Sequence, residues 1–157
     1  MAEAVTHSTS QMTDEDIAAI GTYLKDNDRG GSTAKPAPVA AGDNAMRAGA
    51  AIYKDACAAC HRDGGAGEPH LFPRLAGSAV VQSDDPTTLV RVVLQGTRAV
   101  STAAMPTAPA MPAFDWRLTD AQVAAVLTYI RNSWGNAAAP VSPGVVASQR
   151  PALAKAP

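Results

Sequence analysis

Cys57-Ala58-Ala59-Cys60-His61 is the stretch that decides how this chain folds. Cys57 and Cys60 stand about one helical turn apart, so both thiols can face the same edge of whatever they hold. Three ordinary uses of such a pair fail against the rest of the sequence. A zinc site needs further Cys or His ligands at suitable spacing, and the chain has no other cysteine. A thioredoxin-like redox pair sits in an α/β pattern, which is absent here. A disulfide between the two leaves His61 without a role. What remains is covalent haem attachment: both thiols add to the haem vinyl groups, and the adjoining histidine comes beneath the iron as an axial ligand. The expectation is one haem c, linked through Cys57 and Cys60, with His61 on the metal.

The composition agrees with a fold that needs such a group. In 157 residues only 4% are aromatic and 17% charged, and Gly and Pro each occur 12 times. A core of small side chains is thin, and a large apolar cofactor at its centre supplies what they lack. The formal net charge of −1 argues against nucleic acid as a partner, which would call for a basic face. No apolar run reaches the length of a membrane span. Met1-Ala2-Glu3-Ala4-Val5 shows neither the basic start nor the apolar stretch of a signal peptide.

Three helices are predicted around the motif. The first runs from about Asn44 to Asp55, with Asp43 or Asn44 as N-cap. The second is capped by Asp85, has Pro86 at its first position and ends before Gly96, with Leu89, Val92 and Val93 on one face. The third opens on the capping box Thr119-Asp120-Ala121-Gln122, and its apolar stripe is Val123, Val126, Leu127, Ile130 and Trp134. No segment alternates as a strand would. The chain therefore reads as all-α, a few short helices with long loops. Residues 27–43, rich in Gly and Pro, read as a linker, and 137–157, without apolar periodicity, as an extended tail.

One repeat bears on organisation. Thr13-Asp14-Glu15-Asp16-Ile17-Ala18-Ala19-Ile20-Gly21-Thr22-Tyr23-Leu24-Lys25 matches Thr119 to Arg131 nearly position by position. Such self-similarity points to a duplicated unit. Residues 1–26 are thus expected to be the orphan closing helix of a preceding domain of the same kind as 44–136.

A sixth iron ligand has to come from downstream. Met105-Pro106 and Met111-Pro112 offer themselves, each Pro holding its Met extended. Met111 is preferred, because the third helix can anchor Met111-Pro112-Ala113-Phe114; Met105 is the alternative. Met12 and Met46 read as packing or surface residues. His7 and His70 read as surface residues, His70 falling on the proximal side.

Residues 44–136 resemble a class I cytochrome c domain, which implies that fold wrapped around the haem. Gly49 and Tyr53 match the family's Gly and aromatic of the N-terminal helix, crossing an aromatic on the last helix, here Tyr129. Pro73-Arg74-Leu75-Ala76-Gly77 resembles its Pro-x-Leu-x-Gly loop, which implies that the Pro73 carbonyl accepts the His61 ring N–H and tunes the iron. Leu71, Phe72, Leu75, Leu94 and Trp116 are expected pocket walls. A closer resemblance is to the multihaem cytochrome c subunits of membrane-bound alcohol, gluconate and sorbitol dehydrogenases. Phe72 to Gly77, Met111 to Phe114 and Leu127 to Asn136 look like their last haem domain, and Met1 to Lys25 like the end of their second.

That likeness implies an electron carrier rather than an enzyme. Electrons would come from a dehydrogenase subunit bearing a flavin or pyrroloquinoline quinone and pass to ubiquinone. The setting would be the periplasm or the periplasmic face of the inner membrane, with membrane association only through the complex. Two rival readings are a haem enzyme or gas sensor with an open or labile sixth position, and a structural docking module.

Overall fold

The computed structural model describes residues 2–27 and 36–153. Positions 28–35 of the expected linker and the last four residues of the expected tail lie outside the described residues, as does Met1. Contacts divide the chain into two units, Met1–Ala34 with Ala99–Ala108, and Lys35–Arg98 with Pro109–Pro157.

The first unit carries helix α1 (Ala2–His7), a 3-10 turn (Thr9–Gln11) and helix α2 (Asp14–Asp26). The α1 helix was not anticipated. Thr13 and Asp16 close a full capping box at the start of α2, which satisfies two of the N–H groups that a helix start leaves open. Neither helix has a buried residue among those described. Ile17, Ile20, Tyr23 and Leu24 are between 44% and 66% exposed, so the apolar stripe of α2 faces solvent. The loop 99–108 belongs to this unit; Met105 is exposed there, and its N–H donates to the Thr102 carbonyl.

The second unit holds α3 (Asn44–Ala56), α4 (Ala58–His61), α5 (Thr87–Gln95), β1 (Thr97–Arg98), β2 (Ala110–Met111), α6 (Asp120–Arg131) and α7 (Pro143–Leu153). Asp43 caps α3 through a bond from the Ala45 N–H, and Thr119 with Gln122 forms the capping box of α6. Asp85 accepts the Thr87 N–H at 2.9 Å, so α5 opens one residue later than the Pro86 start expected. The α6 helix ends at Arg131; Trp134, placed on its stripe, lies beyond it with φ 55°. The two strands pair antiparallel, Thr97 opposite Met111. A two-residue strand is too short to show alternation in a sequence.

The α3 and α6 helices meet at Gly49. A Cβ there would sit 2.2 Å from the Ala125 carbonyl oxygen and 2.6 Å from Tyr129 Cβ. Only glycine allows the two backbones to come so close. Around this crossing, Tyr53, Val81, Val126 and Ile130 form one buried cluster. Val90, Val93, Leu94, Phe114, Val123 and Leu127 belong to another, to which Val146 and Leu153 contribute.

Those last two residues correct the expectation of an extended tail. Residues 143–153 are helical, and Val146 and Leu153 are buried. Two contacts a full seven residues apart, among Pro140, Pro143, Gly144 and Pro151, leave too sparse a stripe to read as a helix. Polar anchors complete the docking. Arg150 pairs with Asp120 and donates to the Asp115 carbonyl at 2.9 Å. The buried Arg131 guanidinium donates to the carbonyls of Ala139, Val81 and Ser83 at 2.8 to 3.0 Å, and burial draws its pKa down. The expected linker is also tied in part: the Val39 N–H donates to Asn132 Oδ1 at 3.0 Å.

Candidate haem site

Cys57 ends α3, and the chain turns at once into the single-turn helix α4. The N–H groups of Cys60 and His61 both donate to the Cys57 carbonyl, at 3.2 and 3.0 Å. This turn fixes the two cysteines and the histidine to one another. Both cysteines are free thiols, Cys57 half-buried and Cys60 exposed.

His61 is 8% exposed, and its Nδ1 lies 3.0 Å from the Pro73 carbonyl oxygen. A carbonyl can only accept, so Nδ1 donates to it, and Nε2 is the ring nitrogen left to face a metal. Two unpaired thiols and an imidazole nitrogen on one short turn form a donor set that fits haem c: thiols for two thioethers, nitrogen for iron.

The loop that brings Pro73 back is itself well bonded. The Gly67 N–H donates to the His61 carbonyl at 3.0 Å, and the Gly65 carbonyl accepts from Leu75 and Ala76. Arg62 pairs with Glu68 across the loop. His70 is exposed with φ 64°, and His7 is exposed at the end of α1.

An aromatic cluster adjoins the end of α4 through Tyr53. Tyr53 lies 5.5 Å from Tyr129 and 5.0 Å from Trp134, centroid to centroid, and its hydroxyl donates to the Arg62 carbonyl at 2.6 Å. Burial, more than the neighbouring Cys57, pushes the Tyr53 phenol well above the ordinary range. An acid whose folded pKa is raised holds its proton in the folded state after the unfolded chain has lost it. Its contribution is whole below pH about 10, the unfolded phenol value, and falls as pH rises further. Urea unfolding against pH is expected to show this alkaline decline, and Tyr53→Phe to flatten it.

Met111 sits on β2, half-buried, and packs against the cluster of α5 and α6. Of the expected pocket walls, Leu94 is buried in that cluster, while Phe72 and Leu75 are half-buried. Leu71 and Trp116 are exposed, Trp116 by 80%, with its indole N–H donating to the Ala113 carbonyl at 3.0 Å. Gly96, read only as a helix end, presses on the Met111 segment: a Cβ there would lie 2.4 Å from the Met111 carbonyl oxygen. No pattern in the sequence marks such a contact across fifteen positions of chain.

Residues 46–134 match the family model for cytochrome c. The chain belongs to the cytochrome c family. As a cytochrome c it transfers electrons by covalently bound haem c, and it is a carrier rather than a catalyst. The cytochrome is 40% identical to the gluconate 2-dehydrogenase cytochrome c subunit of Pantoea cypripedii, over 96% of this chain and 36% of that protein. It is 39% identical to the cytochrome c subunit of the quinone alcohol dehydrogenase of Gluconacetobacter polyoxogenes, over 93% and 32%. Cytochrome c-552 of Thermus thermophilus is 36% identical over 57% of this chain and 70% of its own. The cytochrome thus spans about a third of the length of the dehydrogenase subunits it matches. Among its described residues no helix is long and apolar enough to cross a membrane.

Proposed function

We propose that this cytochrome passes single electrons through one haem c, held by Cys57 and Cys60 and ligated by His61 and Met111. The observation that carries this reading is the His61 imidazole, anchored through Nδ1 to Pro73 and one residue from a free thiol. When bound, the haem would supply a one-electron ferric–ferrous couple, Cys57 and Cys60 would fix it to the chain, and His61 and Met111 would hold its iron. With His61 and Met111 both holding the iron, no position would be left for a substrate, and methionine would favour its reduced state. Met111 is preferred over Met105 because it is half-buried against the cluster of α5 and α6, in the unit that holds His61, while Met105 is exposed.

The names of the relatives support a place beside a dehydrogenase subunit. The donor would be a flavin- or quinone-dependent subunit, the acceptor ubiquinone, and the setting the periplasmic face of the inner membrane. The first unit fits the same scheme as the closing helix of a preceding haem domain. Its Ile17, Ile20, Tyr23 and Leu24 correspond to Val123, Val126, Tyr129 and Ile130 of α6, of which Val123, Val126 and Ile130 are buried.

The double variant Cys57→Ala, Cys60→Ala tests the site. Haem staining on a denaturing gel is expected to fall to background, and electron delivery to an added quinone to stop. Retained electron delivery without haem would favour a docking module instead.

A further inference from the structure

The chain leaves α6 by an unusual turn. Trp134 and Gly135 are both left-handed, with φ 55° and 83°, and the Asn136 N–H closes back on the Ser133 carbonyl at 2.9 Å. The turn swings the Asn136 side chain inward, where it is 2% exposed. Its Oδ1 accepts the Gly77 N–H at 2.8 Å, while its Nδ2 donates to the carbonyls of Leu75 at 3.1 Å and Ile130 at 2.9 Å. One carboxamide therefore fastens the end of α6 to both ends of the segment Leu75–Gly77. From the other side the Gly65 carbonyl holds Leu75 and Ala76 at 2.8 and 3.0 Å. The same turn reaches Gly65 as well, since a Cβ there would meet the Trp134 ring at 2.5 Å. Pro73, whose carbonyl meets His61, stands two residues before this doubly gripped segment.

We propose that Asn136 is a positioning residue for His61, setting where the Pro73 carbonyl meets the imidazole and thereby tuning the potential of the iron. The inference rests on His61 being an iron ligand. A firm bond from Nδ1–H makes the imidazole a stronger donor, which favours ferric iron. Loosening the Pro73 loop weakens that bond and shifts the balance toward ferrous iron. A buried amide with every group bonded suits such a task, because each of its bonds is short of competing water.

The test uses haem-loaded Asn136→Ala and Asn136→Asp. The aspartate keeps the shape and the Gly77 bond but turns an oxygen toward the Leu75 and Ile130 carbonyls. Thr128→Val is the control: it removes the buried hydroxyl bonds to Val141 without touching the Pro73 loop. Redox titration and NMR exchange of the His61 Nδ1 proton are read beside Tm. Both Asn136 variants are expected to raise the ferrous to ferric ratio about threefold at the wild-type midpoint, the worth of part of one hydrogen bond. Their Nδ1 proton is expected to exchange faster, whereas Thr128→Val lowers Tm alone. Unchanged potentials and exchange in the Asn136 variants would overturn the proposal. So would failure of both to load haem, which would make Asn136 a folding residue only. A wild-type protein lacking hyperfine-shifted His61 ring signals would instead sink the ligand assignment beneath it.

Discussion

Alanine in place of Gly49 is expected to cost the cytochrome domain about 3 kcal/mol, the upper part of the usual range for overpacking. The added methyl would fall 2.2 Å from the Ala125 carbonyl oxygen and 2.8 Å from its carbon. Both are backbone atoms, so no rotamer relieves the contact; α3 and α6 must separate. That separation opens the cluster of Tyr53, Val126 and Ile130 beside the attachment turn. Thermal unfolding followed by far-UV circular dichroism checks this, with a fall in Tm of roughly 15 °C for a domain of this size. Gly21→Ala in α2 is the matched comparison, because nothing lies within 4 Å of a Cβ there. Helix propensity alone then acts, and that variant is expected to keep or slightly raise stability.

Met111→Ala is expected to abolish the near-infrared methionine–iron band and open the reduced iron to rapid stoichiometric carbon monoxide binding at neutral pH. Met105→Ala is expected to leave both unchanged. The reverse pattern would reassign the ligand, and rapid carbon monoxide binding by the wild type would favour an open sixth site. The fold offers a second handle on the same bond. Gly96 has φ +70°, and a Cβ there would lie 2.4 Å from the Met111 carbonyl oxygen and 2.8 Å from the Ala113 nitrogen. With Thr97 paired to Met111, a larger residue at 96 displaces the strand that carries the methionine. Gly96→Ala is therefore expected to weaken the band while Met111 remains in the chain.

The parts of this architecture that lie within one turn of helix were legible in the sequence. The capping box Thr119 to Gln122 is a four-residue pattern, and it forms. The apolar stripe of α6 has its helical period, and its residues Val123, Val126, Leu127 and Ile130 are buried. The motif of two cysteines and a histidine is likewise contiguous. What lay beyond reading depends on distant segments meeting. The α7 helix is held by two buried apolar residues seven apart and by Arg150 on Asp120, thirty positions away. Asn136 finds Gly77 across 59 positions; the sequence places it in a run of family likeness but holds no sign of that partner. Trp116, expected as a pocket wall, has its indole N–H turned to the Ala113 carbonyl three residues back, a local bond no pattern announces.

The mass of the wild-type polypeptide, matured in a haem-loading host and then denatured, bears most directly on the whole account. A coloured chain heavier by one haem, with the added mass on the peptide holding Cys57 and Cys60, is the result expected. A colourless chain of unmodified mass would contradict it.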